Sequence, residues 1–193
     1  MDKSNGYESI ANRFIEIRGK NISGIGATAV RNWSKSLTSG STVLDLGCGT
    51  GIPVSKVLME EKMLVYGIDS SPTLINQWRA NFPKATAACE PVEDSLFFDR
   101  KFEAVISWGL IFLLSEEVQE KLIEKVAAAL NIGGRFLFTA PHQKIEWKDV
   151  LTGKTSRSLG AKNYKELLSA SGLSLIKQFE DEGRNHYFST IRN

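Results

Sequence analysis

At 193 residues, with 42% hydrophobic and 24% charged residues, the chain has the length and composition of one folded domain with a substantial two- or three-layer core, and it shows no repeat or low-complexity tract. A formal charge of +2, with Lys and Arg scattered among acids, argues against nucleic acid as a partner. Residues 1–7 are polar and the most hydrophobic stretch, 104–114, falls short of the roughly 18 residues that span a bilayer, so the expectation is a cytoplasmic protein with no export signal and no membrane contact.

Residues 8–18 place Ile10, Phe14 and Ile17 on one helical face, and after the Gly24-Ile25-Gly26 break Ala29, Val30, Trp33 and Leu37 do the same for a second helix. These helices form an expected cap over residues 1–40 that covers the sheet or the site, with Tyr7 and Arg18 as candidate site contacts. Residues 41–193 are then the core of the same domain. Val43, Leu44 and Leu46 form a short apolar run typical of a buried strand, and Gly47, Gly49 and Gly51 break it. Glycine lets such a loop take unusual backbone angles and approach a ligand closely. Feeding a helix N-terminus from the carboxyl end of a strand, it makes a nucleotide-type site.

Residues 63–68 read as a second buried strand ending in Asp69, 18 residues after Gly51, near the offset at which an acid meets ribose hydroxyls in dinucleotide folds. Ser71 and Pro72 supply the N-cap and first position of the next helix, which leaves Asp69 for a ligand. That helix buries Leu74, Ile75, Trp78 and Phe82. Residues 85–89 are a small-residue strand followed by an acidic loop containing Glu90, Pro91, Val92 and Glu93. Residues 102–107 give a fourth strand with Trp108 and Gly109 at its end. Ser115 caps a helix that Gly133-Gly134 is expected to stop, before a fifth strand over 135–140. Residues 141–160 read as a long polar connection. A helix over 161–170 and two strands, 173–179 and 186–191, complete the chain.

Five strands alternating with helices and then a hairpin predict an α/β, doubly wound, mostly parallel sheet with an antiparallel strand at or near one edge. Ligands of such sheets sit outside the strand carboxyl ends, where Asp45, Gly47, Asp69, Glu93 and Ser107 fall. Cys48 and Cys89 read as small buried thiols. The distant His142 and His186, with no Cys/His cluster, give no metal-site spacing.

These motifs resemble the class I S-adenosylmethionine-dependent methyltransferases from about Tyr7 onward. The family pattern of an acid, any residue and Gly-x-Gly-x-Gly matches Asp45-Leu46-Gly47-Cys48-Gly49-Thr50-Gly51, whereas a dinucleotide fingerprint would need its third glycine at position 52, which is Ile. The resemblance implies a Rossmann-like seven-stranded sheet in the order 3-2-1-4-5-7-6. It implies S-adenosylmethionine as cofactor and S-adenosylhomocysteine as product. Asp45 and the backbone of Gly47, Cys48, Gly49 and Gly51 would hold the methionine end, Asp69 the ribose and Ser70 the adenine side. Val92 and Glu93 would meet the base edge, with Glu90 as the alternative acid, and Ser107 would close the site at strand four.

Within the family the chain looks most like small-molecule enzymes with no added substrate domain, acting as a monomer or homodimer. Ser107-Trp108-Gly109-Leu110 stands where an Asn-Pro-Pro-Tyr-type motif would direct transfer to adenine or amide nitrogens. His142 is either a proton acceptor in the site or an exposed loop histidine. Trp108 and Trp147 either form an apolar acceptor pocket or pack against the sheet. The 143–160 connection is a candidate lid, and its Lys144, Lys148, Lys154 and Arg157 either signal an anionic acceptor or form a solvated face. The competing functions are a cofactor-binding subunit with no acceptor site and an NAD(P)-dependent oxidoreductase.

Overall fold

The computed structural model describes residues 3–18 and 24–193. Its centre is β1 (Thr42–Leu46), which pairs in parallel with β2 (Leu64–Asp69) on one side and β4 (Phe102–Ser107) on the other. Beyond β2 lies β3 (Thr86–Cys89). Beyond β4 lies β5 (Leu130–Thr139), followed by β9 (His186–Arg192) and β8 (Leu173–Glu180), both in antiparallel pairings. The sheet order is therefore β3-β2-β1-β4-β5-β9-β8, the family order once an additional hairpin is numbered.

That hairpin, β6 (Lys144–Lys148) with β7 (Thr155–Leu159), replaces the expected unstructured connection. Two further strand and helix limits also differ. Helix α5 (Glu116–Ala129) ends before Gly133-Gly134, because Leu130 is already extended and β5 begins there. Residues 8–18 divide into a 3-10 turn over Glu8–Ile10 and α1 (Ala11–Arg18).

Alternation along the central strands decides the layering. Leu44, Leu46, Val105, Phe136 and Phe138 bury against α5 and α6 (Gly160–Ala170), whereas Val43, Ala104, Ile106 and Leu137 face a second apolar cluster that includes residues of α2 (Ala27–Ser34), α3 (Val54–Glu60) and α4 (Pro72–Asn81). A period of two with both sets apolar requires cover on both faces. Each large side chain so buried contributes roughly 1.5–3 kcal/mol of transfer free energy. Trp78, fully buried, anchors α4 beneath the glycine loop. Cys48 is buried as expected, but Cys89 is exposed, because β3 is an edge strand. Among the described residues no helix is long and apolar enough to cross a membrane, and no group of three or more His, Cys, Asp or Glu could hold a metal ion.

Candidate functional site

The loop after β1 is shaped by three glycines in the left-handed region, and two have internal reasons to be glycine. A Cβ on Gly47 would lie 2.8 Å from the Leu110 side chain, and one on Gly51 would lie 2.3 Å from Phe82 and 2.7 Å from Trp78. Gly49 differs: a Cβ there would meet nothing nearer than the Phe14 ring at 3.9 Å. No packed side chain excludes a Cβ here and Gly49 lines the cavity, so what glycine provides at this position is its positive φ and close approach of a ligand to the backbone.

Hydrogen bonds from β2 fix the loop. The N–H groups of Gly47 and Cys48 donate to the Ile68 carbonyl at 2.8 and 3.0 Å. Asp69 accepts from the Gly49 N–H through Oδ2 at 2.8 Å and from the Ser71 N–H through Oδ1 at 2.9 Å, so it clasps two loops together. Burial pushes its carboxyl pKa up, and the Ser71 and Gly49 amides pull it down. Ser71 caps α4 by accepting from Leu74 N–H at 3.2 Å, which leaves the Asp69 oxygens at the strand end.

Asp45 lies on the α3 side of β1. Ser55 Oγ donates to its Oδ2 at 2.5 Å, and the Trp78 indole N–H donates to Ser55 Oγ at 3.0 Å. Burial raises the Asp45 pKa to about 7 against the Ser55 hydrogen bond, with the Asp69 charge adding to the rise. Burial and the same two carboxylates push the Cys48 thiol well up, so it is a packing residue rather than a nucleophile.

Above this loop is a cavity of about 450 Å³. The structure brings Tyr7, Asp45, Gly47, Cys48, Gly49, Asp69, Ser70, Val92, Glu93 and Trp108 to its walls. Glu93 lines it and Glu90 does not. Gly51, Ser107, His142 and Trp147 do not line it either, each for a local reason. Gly51 is packed under aromatic rings. Ser107 is fully buried opposite Phe138 of β5. His142 is exposed beyond β5, its ring edge-on to His186 with centroids 5.1 Å apart. Trp147 stands one layer back against Phe112, which does line the cavity, with ring centroids 5.5 Å apart. Arg18 ends α1, and its side chain lies outside the described residues.

The expected lid residues divide in a way the sequence did not specify. Lys144, Lys148, Lys154 and Arg157 lie off the cavity, with Arg157 paired to Glu146 at 3.2 Å, and so form the solvated face. The turn between β6 and β7 does reach the cavity, through Asp149, Val150 and Leu151. The alternation Lys-Ile-Glu-Trp-Lys over 144–148 was the available signal for β6, but it is short and polar at every second position. Asn5 and Asn185, also on the cavity wall, carried no sequence signal.

Two further networks position the wall. The Trp108 indole N–H donates to the Tyr187 hydroxyl at 2.7 Å, which donates to Asp181 Oδ2 at 2.8 Å. Burial and the Asp181 charge raise the Tyr187 pKa, so this hydroxyl stays protonated as a donor. On the opposite rim Glu8 accepts from the Thr73 N–H at 3.2 Å and the Thr73 hydroxyl at 2.7 Å, and also from the Ser71 hydroxyl, holding residues 3–10 over the start of α4.

The donor set fits an adenosyl amino-acid cofactor. Gly49 presents a cradle that a Cβ would fill, Asp69 stands ready for hydroxyl donors, and two polar atoms on the wall, Asn5 Nδ2 and Thr50 Oγ1, are buried without a partner among the described residues.

Comparison with known proteins agrees. A family model described as a methyltransferase domain matches residues 43–134. A cypemycin N-terminal methyltransferase from a Streptomyces species is 37% identical over 98 residues, covering 49% of this chain and 40% of that protein. A methyltransferase of Anoxybacillus flavithermus is 26% identical over 142 residues, covering 71% of this chain and 54% of that protein. The match thus spans about half the length of these relatives. Among solved structures, the magnesium protoporphyrin IX methyltransferase of Synechocystis with bound S-adenosylmethionine superposes with a TM-score of 0.71 at 16% identity, over 96% of this chain and 97% of that one. This last likeness is one of fold.

Proposed function

We propose that the chain is a class I S-adenosylmethionine-dependent methyltransferase that moves the methyl group of S-adenosylmethionine to a small-molecule acceptor in the 450 Å³ cavity. The observation that carries the reading is Gly49, which lines the cavity and is the one glycine of the loop where an added Cβ would meet no side chain closer than ordinary contact, the Phe14 ring at 3.9 Å.

Bound there, the cofactor supplies a methyl carbon already activated by a sulfonium: an acceptor lone pair forms the new bond as the carbon–sulfur pair returns to sulfur. The chain's task is then to orient, and to exclude water. In this reading Asp69, with each oxygen held by one backbone N–H, accepts the two ribose hydroxyls through its remaining lone pairs. Val92 and Glu93 meet the adenine edge beside Ser70, and Asp45 faces the amino-acid end. Residues 3–7 and the β6–β7 turn cover the acceptor side. His142, off the cavity wall, has no role in this scheme. The protein acts in the cytoplasm, as a monomer or homodimer.

The test is incubation with methyl-tritiated S-adenosylmethionine and a mixture of small amines, alcohols, thiols and carboxylic acids. Label in small products, matched by S-adenosylhomocysteine, is expected. Cofactor binding without any transfer would instead indicate a cofactor-binding subunit.

A further inference from the structure

We infer that the acceptor is an amine, received by the Asp149 carboxylate and carrying an apolar substituent that leaves through a groove beside α1. This inference rests on the function proposed above and concerns the wall of the cavity opposite the glycine loop. That wall can be followed residue by residue. Gly49 faces the Phe14 ring, Phe14 meets the Tyr7 ring edge-on with centroids 5.7 Å apart, and the Tyr7 hydroxyl donates to Asp149 Oδ2 at 3.3 Å. Asp149 therefore stands at the end of an aromatic row that begins at the loop.

The two carboxylate oxygens are in different situations. Oδ1 accepts from the N–H groups of Leu151 and Thr152 at 2.9 and 2.8 Å and from the Thr152 hydroxyl at 3.2 Å, which fixes the turn. Oδ2 has the single long bond from Tyr7. Asp149 is only 9% exposed. Among the described residues the charged side chains on the cavity wall are Lys3, Asp45, Asp69, Glu93 and Asp149, and Lys3 is taken by Asp94 at 2.7 Å and Glu93 at 3.5 Å. A buried carboxylate with a half-used oxygen and no ion pair among the described residues favours a cationic ligand.

An amine arrives as an ammonium and meets the charge of Oδ2 in a cavity also lined by the aromatic side chains of Tyr7, Phe14, Trp108 and Phe112. A carboxylate or thiolate is repelled by Asp149, and an alcohol gains no charge complementarity. The ammonium gives one proton to bulk water while Asp149 Oδ2 holds a remaining N–H, which leaves a neutral amine. The nitrogen lone pair then forms the carbon–nitrogen bond while the carbon–sulfur pair goes to sulfur, and the product carries the positive charge the cofactor brought.

A second observation describes the rest of the molecule. Ile10, Arg13, Phe14, Ile17, Val150 and Leu151 line a groove of about 150 Å³, and Phe14, Val150 and Leu151 belong to the cavity wall as well. The groove continues the cavity outward past Ile17 and Val150, which are 59% and 94% exposed. An apolar substituent on the amine would bury both.

The experiment titrates the protein, first saturated with S-adenosylhomocysteine, with n-octylamine, octan-1-ol and octanoate at pH 8. Octylamine is expected to bind at least about tenfold more tightly than the other two, as a charge-assisted contact in a shielded site should give. Asp149→Asn keeps an oxygen for the turn and is expected to abolish that preference, with its fold checked by the thermal unfolding midpoint. Equal binding of octanol or octanoate, a preference retained in Asp149→Asn, or no octylamine binding to a protein that holds S-adenosylhomocysteine would overturn the inference. Failure to bind S-adenosylhomocysteine at all would overturn the proposed function, and this inference with it.

Discussion

Gly49→Ala and Gly51→Ala separate two demands that the glycine loop meets within three residues. At Gly51 the added methyl would sit 2.3 Å from the partly buried Phe82 ring and 2.7 Å from the buried Trp78, so the variant is expected to lose roughly 1–3 kcal/mol of stability from overpacking beyond the cost of its left-handed backbone, read by urea unfolding. At Gly49 the methyl borders the cavity, so stability should fall by only about 1–2 kcal/mol, the cost of a left-handed alanine, while cofactor affinity falls at least about tenfold. Asp45 adds a dependence on pH. Because burial lifts its pKa to about 7, the folded chain holds a proton that the unfolded chain has lost. Stability is therefore fully present below about pH 4, declines as pH rises towards 7, and is level above it, with a slope of at most about 1.4 kcal/mol per pH unit. Asp45→Asn should flatten this decline in urea titrations at pH 5 and pH 8. The residue scale was also the most legible from sequence, since Asp45, the glycines and Asp69 are placed by strand ends and spacing. Ser107 and His142 were less so. Ser107 is the last residue of β4 and His142 lies past the end of β5, and which way a side chain turns there depends on its neighbours in β5 and β9.

The β6–β7 hairpin shows what element-scale reading lacked. Its strands are five residues each; β6 is mostly exposed, and β7 buries mainly the serines Ser156 and Ser158 with Leu159, so no apolar alternation or continuous apolar run announces them. They are held by tertiary contacts instead. Gln119, fully buried in α5, donates to the carbonyls of Leu114 and Arg157 at 3.0 and 3.1 Å and accepts from the Tyr164 hydroxyl at 2.6 Å, joining α5, β7 and α6. Gln119→Leu fills the space but strands these groups, and a loss of about 1–3 kcal/mol is expected. Hydrogen exchange should accelerate first across β7. Exchange confined to α5 would show that the hairpin does not depend on this residue. Helix α5 itself was readable from Ser115 and its apolar face, but its end was not: Leu130 turns extended to pair with Phe102, an interaction from a distant strand that Gly133-Gly134 masks in the sequence.

For the whole molecule, both faces of a seven-stranded sheet are covered and its carboxyl edge is left open at β1, β2 and β4, which is where the cavity lies. That much follows from alternating strands and helices, because two apolar faces require two layers of cover. The N-terminal cap and the 143–160 lid candidate were legible as segments, but not that residues 3–7 and 149–151 are the parts that reach the cavity, since they meet there only through folding. The central claim is that this cavity takes S-adenosylmethionine. Calorimetric titration with S-adenosylmethionine, S-adenosylhomocysteine and NADH, on wild type and Asp69→Ala, tests it most directly. The expected result is saturable binding of the two adenosyl sulfur compounds and none of NADH. Loss of the charged hydrogen bonds at Asp69 should weaken that binding by roughly 1.5–3 kcal/mol. Binding of NADH alone, or of no ligand, would contradict it.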